Sequence, residues 1–534
     1  MGEKKSLLQN HMFLYLTEFF SGMAVMAVEL GASRLLAPYF SSSQIVWTII
    51  IGTIMIAMAL GNLYGGKKAD ENPDPDRLYS RILVAAVWIA AIPFVGRYII
   101  ILIAGLLAVT VSTGFLVWAA FLSCMIIFVY PLFLLGTVTP SLVKYTTDSL
   151  ENNAQVVGRL GAMNTVGSII GTFLPTFVTI PAVGTAVTFI IFSGILLALA
   201  LFYFFAKKSG VKKAVIAFAL FIIFTILGST GRFAFWEKDL TYEGESIYNY
   251  LQVKDYSDRT ILSTNVLFGV QSVKMKTDDL TGMYYDYALA APVMADFAEK
   301  EKPSLLVLGM GTGTFAKQTQ KYFPEAQVTG VEIDEKITSL ARAYFDLPDD
   351  IPVATYDGRA YLQGTDEKFD CIMVDAYQDI TIPFQMSSKE FFTEVRDHLN
   401  PGGVMVVNLN MHSDKAGSIN AGLTDTIASV FPCVETVDVA GNTNRELFAS
   451  ADTDLPEALS QNAAGLSDEQ LSEQIAKVEE GLEAPETKDQ VFTDDKAPVE
   501  LLGMRMIDNL ISDELSYYKK VLKEEGIQGI LNEM

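Results

Sequence analysis

Between residues 12 and 230 the chain passes through one long apolar stretch after another with few charges between them, which excludes a uniformly soluble fold. A bilayer crossing needs roughly 20 apolar residues as a helix. Stretches near 12–38, 44–66, 79–95, 98–112, 115–136, 157–180, 183–206 and 213–230 read as eight such crossings. The third and fourth are short, and one bent helix broken near Pro93, Gly96 and Arg97 would reduce the count to seven. Lys4 and Lys5 precede the first stretch and no small-residue cleavage pattern follows it, so it reads as a membrane helix rather than a removable signal.

Half of the residues are hydrophobic, yet 62 acidic side chains oppose 39 basic ones and the formal charge is −23. Both properties fit one chain only if they sit in different parts of it. The apolar residues crowd before 230 and the carboxylates after 236. Such acidity argues against nucleic acid as a partner, because phosphate binding needs clustered Lys and Arg. Cys124, Cys371 and Cys433 are scattered, and with His11, His398 and His412 they form no ligand spacing, so no metal is expected.

Lys4, Lys5, Lys67, Lys68 and Arg77 favour a cytoplasmic N-terminus by the positive-inside tendency. An even count returns the C-terminal half to the cytoplasm but leaves Lys207, Lys208, Lys212 and Lys213 outside; an odd count does the reverse. The expectation adopted is eight spans: a multi-pass protein of the cell membrane with a cytoplasmic C-terminal domain. In the first span Glu18 and Glu29 fall near one helical face, with Arg34 a turn beyond. Intramembrane ions face a protein interior or a wet cavity, so these read as a buried Glu–Arg pair or as a cation cavity. Gly61 to Gly65 and Gly167 to Gly171 have the spacing of close helix contacts. The segment from Gly61 to Asp70 looks like a loop of major facilitator transporters.

From about Tyr242 the apolar period shortens. Ile247 to Val253, Arg259 to Ser263 and Gln271 to Met275 read as strands of a small β subdomain. Ser304 to Leu308 then enters a turn containing Gly309, Gly311 and Gly313, followed by a helical Phe315 to Phe323: the opening of a doubly wound sheet, whose glycines let a ligand approach the backbone. Three further strand ends carry acids: Glu332, Asp357 beside Gly358, and Asp375. Taken singly each could be a cap or turn residue; their order after the glycine turn points to a ligand crevice. The expected organisation is a transmembrane helical domain (1–235), a small β subdomain (236–300), an α/β Rossmann-like nucleoside-binding catalytic domain (301–450), an acidic insert (451–490) expected to be an exposed helix or disordered, and a C-terminal motif and helix (491–534). The stretch Val499 to Tyr518 is amphipathic and is expected to dock on the domain.

The succession of Leu308 to Gly313, Val331-Glu-Ile-Asp334, Tyr356-Asp-Gly358 and Val374-Asp-Ala-Tyr377 resembles the spermidine synthase (polyamine aminopropyltransferase) family. Glu245 to Tyr248, Gly269 to Gln271, Tyr284 to Asp286, the run Asp375 to Phe392 and Thr493 to Glu500 look most like its membrane-fused bacterial branch. The resemblance implies a class I methyltransferase-type fold and the transfer of an aminopropyl group from decarboxylated S-adenosylmethionine to a di- or polyamine, releasing methylthioadenosine. It implies that Gly309, Gly311, Gly313 and Gly358 cradle the nucleoside with Gln271 nearby, that Glu332 takes the ribose hydroxyls and that Asp357 takes the adenine amino group. Asp375, with Tyr377, would act on the amine in a pocket shaped by Tyr284, Asp286 and Asp379. The donor is a co-substrate and no permanently bound cofactor is implied. Three departures stand out: Thr312 where soluble synthases have Asp, Tyr285 after the first pocket tyrosine, and a spacing from Asp375 to Asp379 one residue longer than usual. They leave two alternatives open, a methyltransferase using intact S-adenosylmethionine and a polyamine transporter or sensor whose nucleoside domain only binds. The expected partners are the lipid bilayer, a small cationic amine and, as one option, a second copy of the chain.

Overall fold

The computed structural model describes residues 11–40, 43–111, 114–146, 153–229, 232–266, 270–376, 383–410, 417–488, 490–503, 505–506, 516–517, 520–521 and 523. The N-terminal half is helical: α1 (His11–Phe40), α2 (Gln44–Glu71), α3 (Pro75–Thr110), the bent series α4 (Phe115–Ile127), α5 (Val129–Gly136) and α6 (Val138–Thr146), then α7 (Asn153–Leu174), α8 (Ile180–Lys207) and α9 (Val211–Ser229). Five helices are long and apolar enough to cross a membrane, and the bent series makes a sixth. One of the five, Asn153–Lys207, contains a reversal. Gly184 sits at φ +79° and ψ 170°, a backbone that glycine adopts without penalty. Beyond it Thr188 Oγ1 returns to within 2.9 Å of Thr179 Oγ1, although nine residues of straight helix would separate them by about 13 Å.

Side-chain pairs fix the directions. Glu18 bonds Asn164 and Ser168 bonds Gly22, so α7 runs parallel to α1, whereas Phe13 packs on Phe202 and Gly31 faces Phe189, so α8 runs against it. Thr17 bonds Tyr79 and Leu35 lies against Gly96, which makes α3 parallel to α1. The described helices thus make seven alternating passes rather than eight, because 79–95 and 98–112 belong to one helix, α3, with Pro93 inside it. Proline removes one hydrogen bond and bends a helix without reversing it. The two glycine pairs do pack closely: a Cβ at Gly61 or Gly65 would collide with α5 and its junction to α6, and one at Gly167 or Gly171 with the α1 carbonyls of Phe19 and Met23.

The odd count separates the ends of the bundle. Lys67, Lys68, Arg77, Arg81, Lys144, Lys207, Lys208, Lys212 and Lys213 share one end, where Asp76 meets Lys207 at 2.6 Å and Asp70 meets Lys144 at 2.9 Å. The opposite end carries the soluble half. There Pro38 O accepts from Val266 N at 2.8 Å, and Thr185 donates to Glu245. The expected Glu29–Arg34 pair is not formed. Arg34 donates to the carbonyls of Ser246 and Ile247, while Glu18 accepts from Thr139 at 2.6 Å and Asn164 at 2.9 Å.

The soluble half opens with four antiparallel strands in chain order, β1 (Leu240–Glu245), β2 (Tyr250–Asp255), β3 (Arg259–Ser263) and β4 (Ser272–Met275). The strand expected from Ile247 starts later because Ser246 to Asn249 closes the β1–β2 turn, Ser246 N donating to Asn249 O at 2.8 Å. Two short helices, α10 (Tyr284–Ala288) and α11 (Ala290–Met294), lead into β5 (Ser304–Leu308), α12 (Thr314–Tyr322), β6 (Gln327–Glu332), α13 (Glu335–Tyr344), β7 (Val353–Thr355), α14 (Gly358–Gly364), β8 (Phe369–Val374), α15 (Lys389–Asp397), β9 (Leu399–Leu409), α16 (Ile419–Ala428), β10 (Cys433–Asp438) and β11 (Arg445–Ser450). The sheet order is β10-β11-β9-β8-β5-β6-β7, parallel except where β11 joins β9 and β10. Its central strands are apolar on both faces, Val307 and Met373 packing one way and Leu308 and Val374 the other, as a sheet covered by helices requires.

One late segment differs from expectation. The acidic insert is ordered and packed: α17 (Leu455–Ala463) and α18 (Glu469–Gly481) bury Leu455, Leu459, Leu471, Ile475 and Val478 in the core beside β10 and β11. Its charge marks the solvent face of two amphipathic helices. Asp494, in the C-terminal motif, accepts from Arg359 at 2.7 and 2.9 Å and from Ser388 at 2.5 Å, tying that motif to α14 and α15. Most of the stretch expected to dock beyond Val499 lies outside the described residues.

Candidate active site

The chain order reverses direction across the sheet between β5 and β8, and ligands of such sheets lie beyond the carboxyl ends of the strands at that switch. A cavity of 760 Å³ opens there, within the range of small-molecule sites. Gly309 leaves β5 at φ +87°, and a Cβ on it would run into Asp375 O at 2.5 Å. Only glycine lets the turn pass so close to the end of β8. Gly311, also left-handed, donates its N–H to Glu332 Oε2 at 2.9 Å, and Asp334 N donates to Glu332 Oε1 at 3.1 Å. Burial pushes the Glu332 carboxyl up to about 7 against the pull of those N–H donors.

Asp375 follows β8 and is fastened on both oxygens. Tyr284 Oη donates to Oδ2 at 2.6 Å and Asn408 Nδ2 to Oδ1 at 2.9 Å. Burial raises its carboxyl to about 7, the two hydrogen bonds opposing the shift. The Tyr284 hydroxyl is pushed up by burial and then by the Asp375 charge, which leaves it a donor at neutral pH. A carboxylate so placed can bind an ammonium, or take a proton near pH 7.

Of the residues expected from sequence, Gly309, Gly311, Glu332, Asp357, Gly358, Gln271, Tyr284 and Asp375 all line this one cavity. Asp357 does double duty, because its Oδ1 also caps α14 at Ala360 N, 2.9 Å away. Gly313 is not on the wall; it starts α12 and packs against Leu347, so its role is conformational. Asp286, expected to bind the amine, is also off the wall. Its carboxylate is taken by Thr281, Gly282 and Gln318, at 2.6 to 3.2 Å, and clamps its own loop. Tyr377 and Asp379 lie outside the described residues. Thr312 is fully buried, its N–H directed at Ser272 Oγ, so the glycine turn presents no side-chain carboxylate where soluble synthases have Asp. Tyr285 donates to the Gln271 carbonyl at 2.7 Å and backs the wall.

Sequence reading missed a polar row behind Asp375. Val374 pairs with Val407 and Asn408 with Glu446, so Asp375, Asn408 and Glu446 follow one another across β8, β9 and β11. Asn444 donates to Asn408 and Asn410 at 2.7 Å. Glu446 is fully buried, and neither of its carboxyl oxygens has a hydrogen-bond partner among the described residues. Burial first, and then the Asp375 charge, pushes its carboxyl well above the ordinary range. Asn and Glu interrupting otherwise apolar strands were the available signal.

The sequence profile of the spermine/spermidine synthase domain matches residues 287–439. A probable polyamine aminopropyl transferase of Bifidobacterium longum is 55% identical over 348 residues, covering 62% of this chain and 77% of its own. The chain belongs to the polyamine aminopropyltransferase family. A polyamine aminopropyltransferase of Vibrio vulnificus is 26% identical over 268 residues, 48% of this chain and 86% of its own length. A crystal structure of a probable spermidine synthase from Corynebacterium glutamicum covers 46% of this chain and 96% of its own, with 20% identity and a TM-score of 0.36. As an aminopropyltransferase-family member the chain is a transferase, and its soluble half has the family's Rossmann-like methyltransferase-type fold.

Proposed function

We propose that this chain is a membrane-bound aminopropyltransferase that moves an aminopropyl group from decarboxylated S-adenosylmethionine to a di- or polyamine and releases methylthioadenosine. The observation that carries the reading is the joining of two sets of groups in one cavity: Gly309, Gly311, Glu332 and Asp357, and Asp375 held by Tyr284 and Asn408. On this reading Glu332 accepts from the ribose hydroxyls, Asp357 from the adenine amino group, and the glycine turn gives the nucleoside close access to the backbone.

The acceptor nitrogen attacks the propyl carbon beside the sulfonium. A carbon–nitrogen bond forms as the carbon–sulfur bond breaks, its electron pair neutralises the sulfur, and the proton lost from nitrogen passes to Asp375. Most of the acceleration this asks of the protein is alignment of two reactants, with the base adding to it. The buried Thr312 leaves the donor's own ammonium without the glycine-loop carboxylate of soluble synthases, so the comparison of the two sulfonium donors is the decisive one. Purified full-length chain in detergent should be offered the decarboxylated or the intact sulfonium with a panel of amines. Mass spectrometry should find methylthioadenosine and an amine heavier by one aminopropyl group; methylated products would instead favour the methyltransferase alternative.

The seven helical passes support membrane anchorage, and they bear on orientation. With all the lysine-rich turns at the end away from the soluble half, the positive-inside tendency assigns that end to the cytoplasm and the catalytic domain to the opposite face. This reverses the cytoplasmic placement that eight spans imply. It also requires a charged nucleoside to be supplied on that face.

A further inference from the structure

We propose that Arg34, in the helical half, is a positioning residue for the nucleoside wall of the active site, acting through the β1–β2 turn. The inference rests on the reading of Glu332 as the ribose acceptor, and extends it to a part of the chain that family resemblance leaves as an anchor.

The turn is gripped from the helical side at two points. Arg34 donates Nη1 to Ser246 O at 3.3 Å and Nη2 to Ile247 O. The preceding residue, Glu245, accepts from Thr185 N at 2.8 Å and Thr185 Oγ1 at 2.5 Å, immediately after the reversal at Gly184. A guanidinium offers its donors in a fixed fork, so it sets the turn's orientation as well as its place. On its other side the turn grips the site. Ser246 Oγ donates to Asp334 Oδ2 at 2.5 Å and Asn249 Nδ2 donates to the same oxygen at 3.0 Å. Asp334 is buried, caps α13 with Oδ1, and gives its own N–H to Glu332. Glu332 in turn receives Gly311 N–H from the glycine turn. Tyr248 and Asn249 themselves reach the cavity wall.

From Ser246 inward each link is a hydrogen bond of buried or half-buried groups, and among the described residues no cation stands beside Glu332 to hold it by charge. Its position therefore depends on the frame of N–H donors, and the frame depends on Asp334. If the helical half moves at α1 or at the start of α8, the displacement reaches the ribose side of the site before the Asp375 side.

The test uses the full-length chain in nanodiscs, with calorimetry of methylthioadenosine and steady-state kinetics. Arg34→Ala should weaken nucleoside affinity by about 2- to 30-fold, the range of mutations acting on a site without touching its ligand, with kcat at saturating donor within about two-fold of wild type. Arg34→Lys, a point charge in place of a fork, should restore part of the loss. Ser246→Ala, which cuts the link inside the soluble half, should reproduce it. Tyr39→Phe, which removes the hydrogen bond to Phe233 O at the same end of the bundle, serves as the control for mere adhesion and should leave affinity unchanged. Arg34→Ala with wild-type affinity would overturn the proposal and make Arg34 adhesive only. Should the wild-type chain bind no methylthioadenosine, the proposed function fails rather than the link. Hydrogen exchange at the Gly311 and Asp334 amides then reads the coupling without ligand: faster exchange in Arg34→Ala supports it, and unchanged exchange overturns it.

Discussion

Tyr284 donates its hydroxyl to Asp375 across 2.6 Å, joining a helix that precedes the Rossmann-like sheet to the end of the sheet's central strand. The bond holds one oxygen of the carboxylate in place. With Asn408 on the second oxygen, Asp375 is pre-aimed, which is what in-line attack by an amine demands.

Asp375→Asn is expected to abolish turnover while leaving methylthioadenosine affinity nearly intact. Asparagine keeps the shape but removes both the charge that holds an ammonium and the basicity that accepts its proton. General-base contributions are typically about 100- to 10,000-fold, which a methylthioadenosine release assay would resolve easily. Parallel loss of nucleoside binding would show that Asp375 is structural, and activity within a few-fold of wild type would remove it as the base.

The raised Asp375 carboxyl sets a pH dependence whose sign can be worked out. In the proposed reaction the ionised form is the base, and burial moves its titration up to about 7, so kcat/KM should rise with pH through that region and fall about tenfold per unit below it. Stability follows the opposite course. Groups raised in the folded state, here Asp375 and Glu332 at about 7, contribute stability that is complete below their ordinary values of 3.8 and 4.5 and is lost as pH rises through about 7. Thermal melts of Glu332→Gln against wild type should therefore diverge in favour of the variant between about pH 5 and 8. A rate limb centred near 4 would refute burial as the tuning cause.

Much of the site was legible because strand ends and glycine turns leave local marks. Gly309, Glu332 and Asp375 sit where a buried apolar run stops and Asp357 follows the short strand β7, and the register of a parallel sheet brings all such strand ends to one edge. Asp286 and Gly313 fall off the cavity wall because a motif gives sequence neighbourhood without side-chain direction: one carboxylate turns into its own loop and one glycine faces Leu347. Asn408 and Glu446 were missed because cross-strand pairing between residues so far apart in sequence depends on which strands become neighbours. Helix count failed at Pro93 for a related reason. Composition marks a weak point in a helix and does not say whether the chain bends there or turns back.

Glu446 is expected to be neutral in the folded protein, since a fully buried carboxylate with no donor is costlier than a carboxylic acid in the same place. Glu446→Gln keeps size and removes the proton equilibrium. Its folded-state pKa is raised, so the stability tied to its proton is complete below 4.5 and is lost as pH rises above that value. The variant should match wild type in acid and melt progressively higher than it toward alkaline pH, while the rate limb assigned to Asp375 stays near 7. Equal melting at every pH would mean that Glu446 is ionised and solvated in ways the fold does not show.

Orientation in the membrane can be decided by labelling. Ser257, between β2 and β3, is exposed on the soluble half, and Lys208 lies at the far end of the bundle. Because α9 alone separates these two positions, only one of Ser257→Cys and Lys208→Cys should react with an impermeant maleimide in intact cells. The charge rule expects Ser257→Cys to react and Lys208→Cys to be protected, since the lysine-rich end favours the cytoplasm. The native thiols are no obstacle, as Cys124 and Cys371 are buried and Cys433→Ser removes the third. The reverse pattern would put the catalytic domain beside the cytoplasmic donor supply and show that this chain violates the charge rule. Equal labelling of both positions would refute a crossing by α9, the one pass that separates them.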